Sequence, residues 1–80
     1  MTELEEVRAK AREYLRGEIR EDTLSSWLQK NMFEREWSDI QARKCLKIID
    51  LRVFEYEQGF LDTIDLKRAV SAALRYVEMQ

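Results

Sequence analysis

The sequence of 80 residues contains no histidine and no proline, and it has only two glycines and one cysteine. Without histidine the chain lacks the commonest general base and the commonest metal ligand. Two glycines are too few for a glycine-rich phosphate loop, and a lone cysteine makes neither an internal disulfide nor a cysteine-based zinc site. Cys45 lies on the same helical face as Leu46 and Ile49, which favours a buried structural thiol over a nucleophile. We therefore expect no catalytic residue, no metal and no cofactor, and we expect that the protein is not an enzyme.

Long apolar runs and a large charge of one sign are missing as well. No stretch approaches the roughly 20 apolar residues that cross a bilayer, and the first residues, Met-Thr-Glu-Leu-Glu-Glu, carry acidic groups where a signal peptide carries basic ones. The 14 basic and 16 acidic residues are interspersed and give a net charge of −2. This balance gives no general attraction to nucleic acid or to anionic membranes. A cytoplasmic protein without a membrane partner is the expectation, and nucleic acid is an unfavoured partner.

The residues that are present favour helix. Hydrophobic residues make up 45% of the chain and charged residues 38%, a globular composition rich in good helix formers. Eighty residues form one domain, residues 1–80. Apolar residues recur at steps of three and four. This periodicity predicts four helices, over about residues 3–16, 23–32, 38–58 and 63–78.

The predicted helix ends rest on capping chemistry. Gly17 and Gly59 are candidates for the left-handed residue that follows a helix, so they end helices 1 and 3. The candidate N-cap groups are Thr2, the segment 21–23, Ser38 with Gln41, and Asp62 or Thr63. Residues 33–37 contain no helix breaker, so helices 2 and 3 are either separate or joined through a kink.

The apolar skeleton of the first half of the chain returns in the second half. A shift of 42 residues superposes Gly17 on Gly59. The same shift pairs Leu4 with Leu46, Val7 with Ile49, Ala11 with Val53, Tyr14 with Tyr56, Ile19 with Leu61, Leu24 with Leu66, Leu28 with Val70 and Met32 with Leu74. Duplication of one αα-hairpin explains this match, and so does the general similarity of amphipathic hairpins of equal length. Either origin predicts an all-α four-helix bundle made of two similar hairpins, with helix 3 longest and central.

Helix 3 carries a second apolar face that helix 1 lacks. Ile40, Leu51 and Phe54 lie opposite the core-facing side, and Leu51 and Phe54 correspond to Ala9 and Arg12 in helix 1. Phe60 and Ile64 likewise stand where the first hairpin has Glu18 and Asp22. A leftover apolar face is typical of a partner surface, although a central helix 3 buried on both sides would also explain it. The candidate interface consists of Phe33, Trp37, Ile40, Leu51, Phe54, Phe60 and Ile64.

These features favour a non-catalytic protein–protein interaction module, a small cytosolic regulator or inhibitor acting through helix 3. Self-association as a homodimer is the first expectation for the partner, because twofold dimers are the commonest oligomers. The alternative is a nucleic-acid-associated regulator that contacts phosphates through a row of helix 1 arginines, Arg8, Arg12, Arg16 and Arg20. Glu5, Glu6 and Glu13 lie among these arginines, which favours a solvated charged face.

Overall fold

Four α-helices make up the fold. The structure is a computed structural model that describes residues 2–78, and it contains no strand within that range. The helices are α1 (Glu3–Leu15), α2 (Glu21–Glu34), α3 (Ile40–Glu57) and α4 (Thr63–Glu78). α3 is the longest and contacts each of the other three, whereas among the described residues no Cα atom of α2 comes within 8 Å of one of α4. The predicted all-α bundle with a central third helix is therefore confirmed.

The two hairpins turn in the same way. Gly17 and Gly59 have φ angles of 79° and 85°, the left-handed conformation that glycine adopts without a Cβ clash. In the first hairpin the Gly17 N–H donates to Tyr14 O at 3.0 Å and the Glu18 N–H to Glu13 O at 2.9 Å. The second hairpin repeats both bonds at the same distances, from Gly59 to Tyr56 and from Phe60 to Glu55. This pair of bonds is the Schellman motif. The two glycines that the 42-residue shift pairs therefore end their helices in the same way.

The core lies between the inward faces of the four helices. It is apolar, and each fully buried aliphatic side chain contributes about 1.5–3 kcal/mol relative to an exposed one. The buried set is Val7, Ala11, Tyr14, Leu24, Leu28, Trp37, Ala42, Cys45, Leu46, Ile49, Val53, Leu66, Val70, Ala73, Leu74 and Val77. Almost all of these are the residues that the 42-residue shift pairs, or their neighbours on the same helical stripe.

The connection between α2 and α3 departs from the prediction. Helices 2 and 3 are not continuous, because Arg35 has extended backbone and residues 35–39 form a non-helical segment. The predicted start of helix 3 at Ser38 is wrong: Asp39 is the N-cap, and its Oδ1 accepts from the N–H groups of Gln41 and Ala42. The Glu3 carboxylate accepts from the N–H groups of Ser38 and Asp39 at 3.2 and 2.6 Å. These two bonds hold Ser38 outside the helix.

The other N-termini follow the capping predictions in part. Thr2 Oγ1 accepts from the Glu5 N–H at 3.1 Å, and Asp62 Oδ1 accepts from the Asp65 N–H at 2.8 Å. α2 instead begins at Glu21, two residues before the predicted start, and its N-cap Arg20 makes no side-chain cap. The two hairpins therefore share a turn but differ in how the second helix begins.

Candidate interaction surface

A groove between α2 and α3 gathers three of the exposed apolar side chains. Phe33 from α2 and Leu51 and Phe54 from α3 line a surface depression of about 370 Å³. The two helices run antiparallel, as the hydrogen bond from Ser25 Oγ near the start of α2 to Glu57 at the end of α3 indicates. We call this depression the α2–α3 groove. Its remaining lining residues are Gln29, Met32, Lys47, Asp50 and Glu57.

The apolar residues of the groove are exposed in the folded chain. Phe33 is 87% exposed, Leu51 52% and Phe54 55%. They remain outside because α3 turns Ala42, Ile49 and Val53 towards the core, and Leu51 and Phe54 lie on the other side of the same helix. The alternative in which α3 is buried on both faces is therefore wrong for this chain on its own.

Charge changes sign along the line of the groove. Beyond Lys47, a second depression near the start of α3 adds two basic residues and one acidic residue, and beyond Glu57 a third adds two acidic residues and one basic residue. The first of these, the basic end, is lined by Met32, Arg35, Glu36, Trp37, Arg43, Leu46 and Lys47. The second, the acidic end, is lined by Arg20, Glu21, Asp22, Tyr56 and Glu57. Since the groove shares Lys47 with the basic end and Glu57 with the acidic end, the three form one continuous strip.

Trp37 does not belong to the exposed surface, so its assignment to the interface is wrong. Its side chain is only 7% exposed, and its indole Nε1–H donates to Asn31 O at 2.9 Å. The guanidinium of Arg35 lies 3.9 Å from the centre of the Trp37 ring and pairs with Glu6 on α1 at 2.5 Å. The extended segment between α2 and α3 thus turns the indole inward, where it joins the buried core.

The remaining candidate residues are exposed but do not line the groove. Ile40 is the first residue of α3, about three turns before Leu51 on the same side. Phe60 lies in the turn after α3 and Ile64 in the first turn of α4. Their exposed fractions are 56%, 76% and 62% respectively. The seven predicted residues therefore divide into a groove of three, three scattered apolar residues and one core tryptophan.

The sequence did not reveal the other members of the groove. Gln29, Met32, Lys47, Asp50 and Glu57 line it because α2 and α3 pack antiparallel in one particular register. The similarity of the hairpins does not predict this register, because α2 and α3 belong to different hairpins. Tyr76, which is 46% exposed on α4, was also missed, and no pattern in the sequence singles it out.

The arginine row of helix 1 is largely occupied by carboxylates. Arg12 pairs with Glu78 of α4 at 2.9 Å, Arg8 lies 3.9 Å from the same carboxylate oxygen, and Arg16 lies 3.5 Å from Glu18. Only Arg20 has no ion pair among the described residues. Arg8 and Arg12 therefore link α1 to α4, and Arg16 lies beside the carboxylate of Glu18.

Burial raises the pKa of three titratable groups, Tyr14, Cys45 and Asp50. Burial raises the pKa of the Cys45 thiol to about 11, against a smaller opposing effect of the Arg8 charge, so the thiol is protonated and weakly nucleophilic at neutral pH. Burial and the neighbouring Glu21 raise the pKa of Tyr14, whose buried hydroxyl has no hydrogen-bond partner of good geometry among the described residues. Burial and the charge of Glu57 also raise the pKa of Asp50, and both carboxylates line the groove.

Metal-binding and membrane-spanning features are not found in the described part of the chain. Residues 2–78 contain no cluster of three or more histidine, cysteine, aspartate or glutamate side chains with the geometry for a metal ion. None of their helices combines the length and the hydrophobicity that crossing a bilayer requires.

Comparisons with known proteins give no match from which a function could be inferred. No family model matches the chain, and neither the curated proteins nor the solved structures contain a significant match. The chemistry of the surface is therefore the basis for any functional proposal.

Proposed function

We propose that this protein is a non-catalytic protein–protein interaction module that binds its partner through the α2–α3 groove. The observation that carries the proposal is the clustering of Phe33, Leu51 and Phe54, two aromatic residues and one leucine, in one exposed depression. The shared fold does not require apolar residues at Leu51 and Phe54, since the equivalent positions in α1 are Ala9 and Arg12.

The composition of the groove matches that of an interface centre. Aromatic side chains bury a large area at a small cost in conformational entropy, and interfaces commonly place such residues centrally with charged residues at the rim. Here Phe33 and Phe54 are the aromatic anchors, and Lys47 and Glu57 are the charged residues at the two ends. Partner binding would remove from water an apolar surface that the folded chain leaves exposed.

A regulatory or inhibitory role in the cytosol is part of the same proposal. A protein of this size that acts by covering a partner's surface needs no reacting group of its own. The single cysteine is a free, buried thiol, which suits a compartment that keeps thiols reduced. The nucleic-acid alternative is not favoured by any observation, because three of its four arginines lie next to carboxylates.

Site-specific photocrosslinking in cells that produce the protein tests the proposal. Phe33 is replaced by the photoreactive amino acid p-benzoylphenylalanine, which its 87% exposure accommodates without a change in the core. We expect a covalent adduct at this position, and we expect Leu51→Glu in the same chain to abolish it. A centrally buried interface residue typically costs more than about 2 kcal/mol of binding when it is removed.

The matched control carries the same photoreactive amino acid at Tyr76, an exposed aromatic position on α4 outside the groove. Circular dichroism of Leu51→Glu should show an unchanged helix content, because changes at exposed positions alter stability by about 0.5 kcal/mol or less. If Phe33 yields no adduct, or if the Phe33 adduct survives Leu51→Glu, the groove is not the binding surface.

A further inference from the structure

The strip along α2 and α3 is complementary in charge to a second copy of itself turned end to end. From the start of α3 to its end it runs from the basic end through the apolar groove to the acidic end. Turning a second copy of this strip by 180° brings its acidic end against the basic end of the first and its apolar centre against the apolar centre. A twofold axis produces this arrangement, because it places the same patch of both copies in contact.

The positions of the four key residues on α3 agree with one such axis. Lys47 and Glu57 are ten residues apart, about 15 Å along the helix, with their midpoint at position 52. Leu51 and Phe54 have their midpoint between positions 52 and 53. An antiparallel pairing of two α3 helices about this shared centre therefore puts Leu51 of one copy on Phe54 of the other and Lys47 of one copy opposite Glu57 of the other.

We propose that the occupant of the α2–α3 groove is a second copy of this chain, paired antiparallel along α3 about a twofold axis near position 52. This inference rests on the proposed function, since it names the partner of the same surface. A parallel pairing would place Lys47 on Lys47 and Glu57 on Glu57, and juxtaposed like charges oppose association.

Lys47 and Glu57 remain available for ion pairs with a second copy. Glu57 accepts a hydrogen bond from Ser25 at 3.3 Å, and neither Lys47 nor Glu57 forms an ion pair within the described residues. Asp50 and Glu57 lie close enough for the charge of one to raise the pKa of the other. The Lys47 ammonium of a second copy would supply the cation at this point.

An interface of standard size would cover a modest share of the exposed surface. A stable interface of standard size removes about 800 Å² from each partner, about 15% of the 5278 Å² of surface that the single chain exposes. The α3 helix is 18 residues long, about 27 Å, and the strip follows it from the basic end to the acidic end. A pairing along this length needs no rearrangement of the bundle.

Sedimentation equilibrium over a wide range of concentrations gives the first part of the test. We expect the wild-type chain to form a dimer and Lys47→Glu and Glu57→Lys each to weaken it at least tenfold, because each reversal turns two attractions per dimer into two repulsions. Arg68→Glu makes the same charge change as Lys47→Glu at an exposed position on α4 away from the strip and should leave the dimer unchanged. Thermal unfolding followed by circular dichroism checks that all three variants remain folded.

Mixing the two weakened variants is the second and decisive part of the test. In a heterodimer of Lys47→Glu with Glu57→Lys, position 47 of each chain again faces an opposite charge at position 57 of the other. We therefore expect the mixture to associate within about threefold of wild type, and we expect the double variant to form a homodimer again. A dimer that forms in the wild type but is not recovered by mixing overturns the proposed pairing.

The photocrosslinked adduct from Phe33 separates this inference from the function on which it rests. An adduct of twice the mass of the chain supports the second copy. A wild-type chain that stays monomeric, together with an adduct of different mass, overturns the homodimer and leaves the interaction module standing with another protein as its partner. Absence of any adduct that depends on Leu51 overturns both.

Discussion

The two hairpins of this protein have the same turns and the same inward residues but different outward ones. At the positions where α3 has Leu51 and Phe54, α1 has Ala9 and Arg12. Arg12 pairs with Glu78, so the outer side of α1 is tied by charge to α4, whereas the outer side of α3 remains open beside α2. Residues shared by the hairpins thus build the bundle, and residues that differ between them produce the surface to which we assign the function.

The comparison also extends to buried titratable groups. Tyr14 of the first hairpin is 1% exposed, and its equivalent Tyr56 is half-buried. Cys45 of the second hairpin is fully buried, and its equivalent Glu3 is partly exposed and holds the segment before α3. Each hairpin therefore buries one group that can lose a proton only at high pH, and this difference leads to the largest effect that we predict.

We predict that the protein loses stability in alkaline solution and that Cys45 accounts for a large share of the loss. The folded state raises the pKa of the thiol from 9.0 to about 11, so between these values the unfolded chain has lost a proton that the folded chain retains. The contribution is complete below pH 9 and is lost as the pH rises to about 11, at about 1.4 kcal/mol per pH unit or roughly 3 kcal/mol in total. Urea unfolding at a series of pH values measures it.

The control for this prediction is Cys45→Ala, which removes the titrating group from the same position. Its cavity lowers stability equally at all pH values, so the informative quantity is the slope between pH 9 and pH 11, which should be flatter than in the wild type. Tyr14→Phe should flatten the curve at still higher pH, since burial raises the pKa of that hydroxyl as well. Equal slopes in wild type and Cys45→Ala would show that the thiol is not buried in the folded state.

The two glycine turns provide the next largest effect and a direct measure of how alike the hairpins are. Gly17→Ala and Gly59→Ala should each destabilise the protein by about 1–2 kcal/mol, because alanine in the left-handed region carries that backbone cost. An added Cβ would meet nothing within 4 Å at either position, so the backbone conformation alone determines the cost. We expect the two values to be similar, because the two glycines have nearly the same φ angle.

Asparagine is the control at both turns, since it tolerates the left-handed conformation better than alanine. Gly17→Asn and Gly59→Asn should each cost less than the alanine variant at the same position. If one glycine proved far more sensitive than the other, the equivalence of the Schellman motifs would not extend to their energetics.

Sequence reasoning predicted the features that local chemistry determines. The left-handed glycines, the caps at Thr2 and Asp62, and the inward stripes all follow from residue types a few positions apart. Comparing the two hairpins favoured an exposed Leu51 and Phe54, whose equivalents in α1 are Ala9 and Arg12, but it left burial of both faces of helix 3 as an alternative.

Features that depend on contacts distant in sequence were not predictable in the same way. The start of α3 shifted because the Glu3 carboxylate, 35 and 36 positions away, accepts the N–H groups of Ser38 and Asp39. Trp37 is buried because this tethered segment turns inward, although an aromatic residue beside an apolar patch resembles an interface residue. The pairing of Arg12 with Glu78, 66 positions apart, likewise follows only from the packing of α1 on α4.

The smallest predicted effect concerns the start of the second helix in each hairpin. Asp62 caps α4 through the N–H of Asp65, whereas Arg20 stands at the same place before α2 with extended backbone and no cap bond. Arg20→Ser should therefore stabilise the protein by about 0.5 kcal/mol, and Asp62→Ala should destabilise it by about 1 kcal/mol. We expect the gain to be the smaller of the two because the Thr23 N–H, which a serine hydroxyl would accept, already donates to Asp22 Oδ1 at 2.9 Å.

Arg20→Ala distinguishes the effect of the new cap on stability from the effect of removing the arginine. It removes the same guanidinium without supplying an oxygen, so chemical unfolding should show no gain for Arg20→Ala relative to wild type. Equal stabilisation by alanine and serine would instead trace the effect to relief of the Arg20 charge near the positive end of the α2 dipole. In that case the cap would contribute little, because Asp22 already satisfies the N–H that the cap would bind.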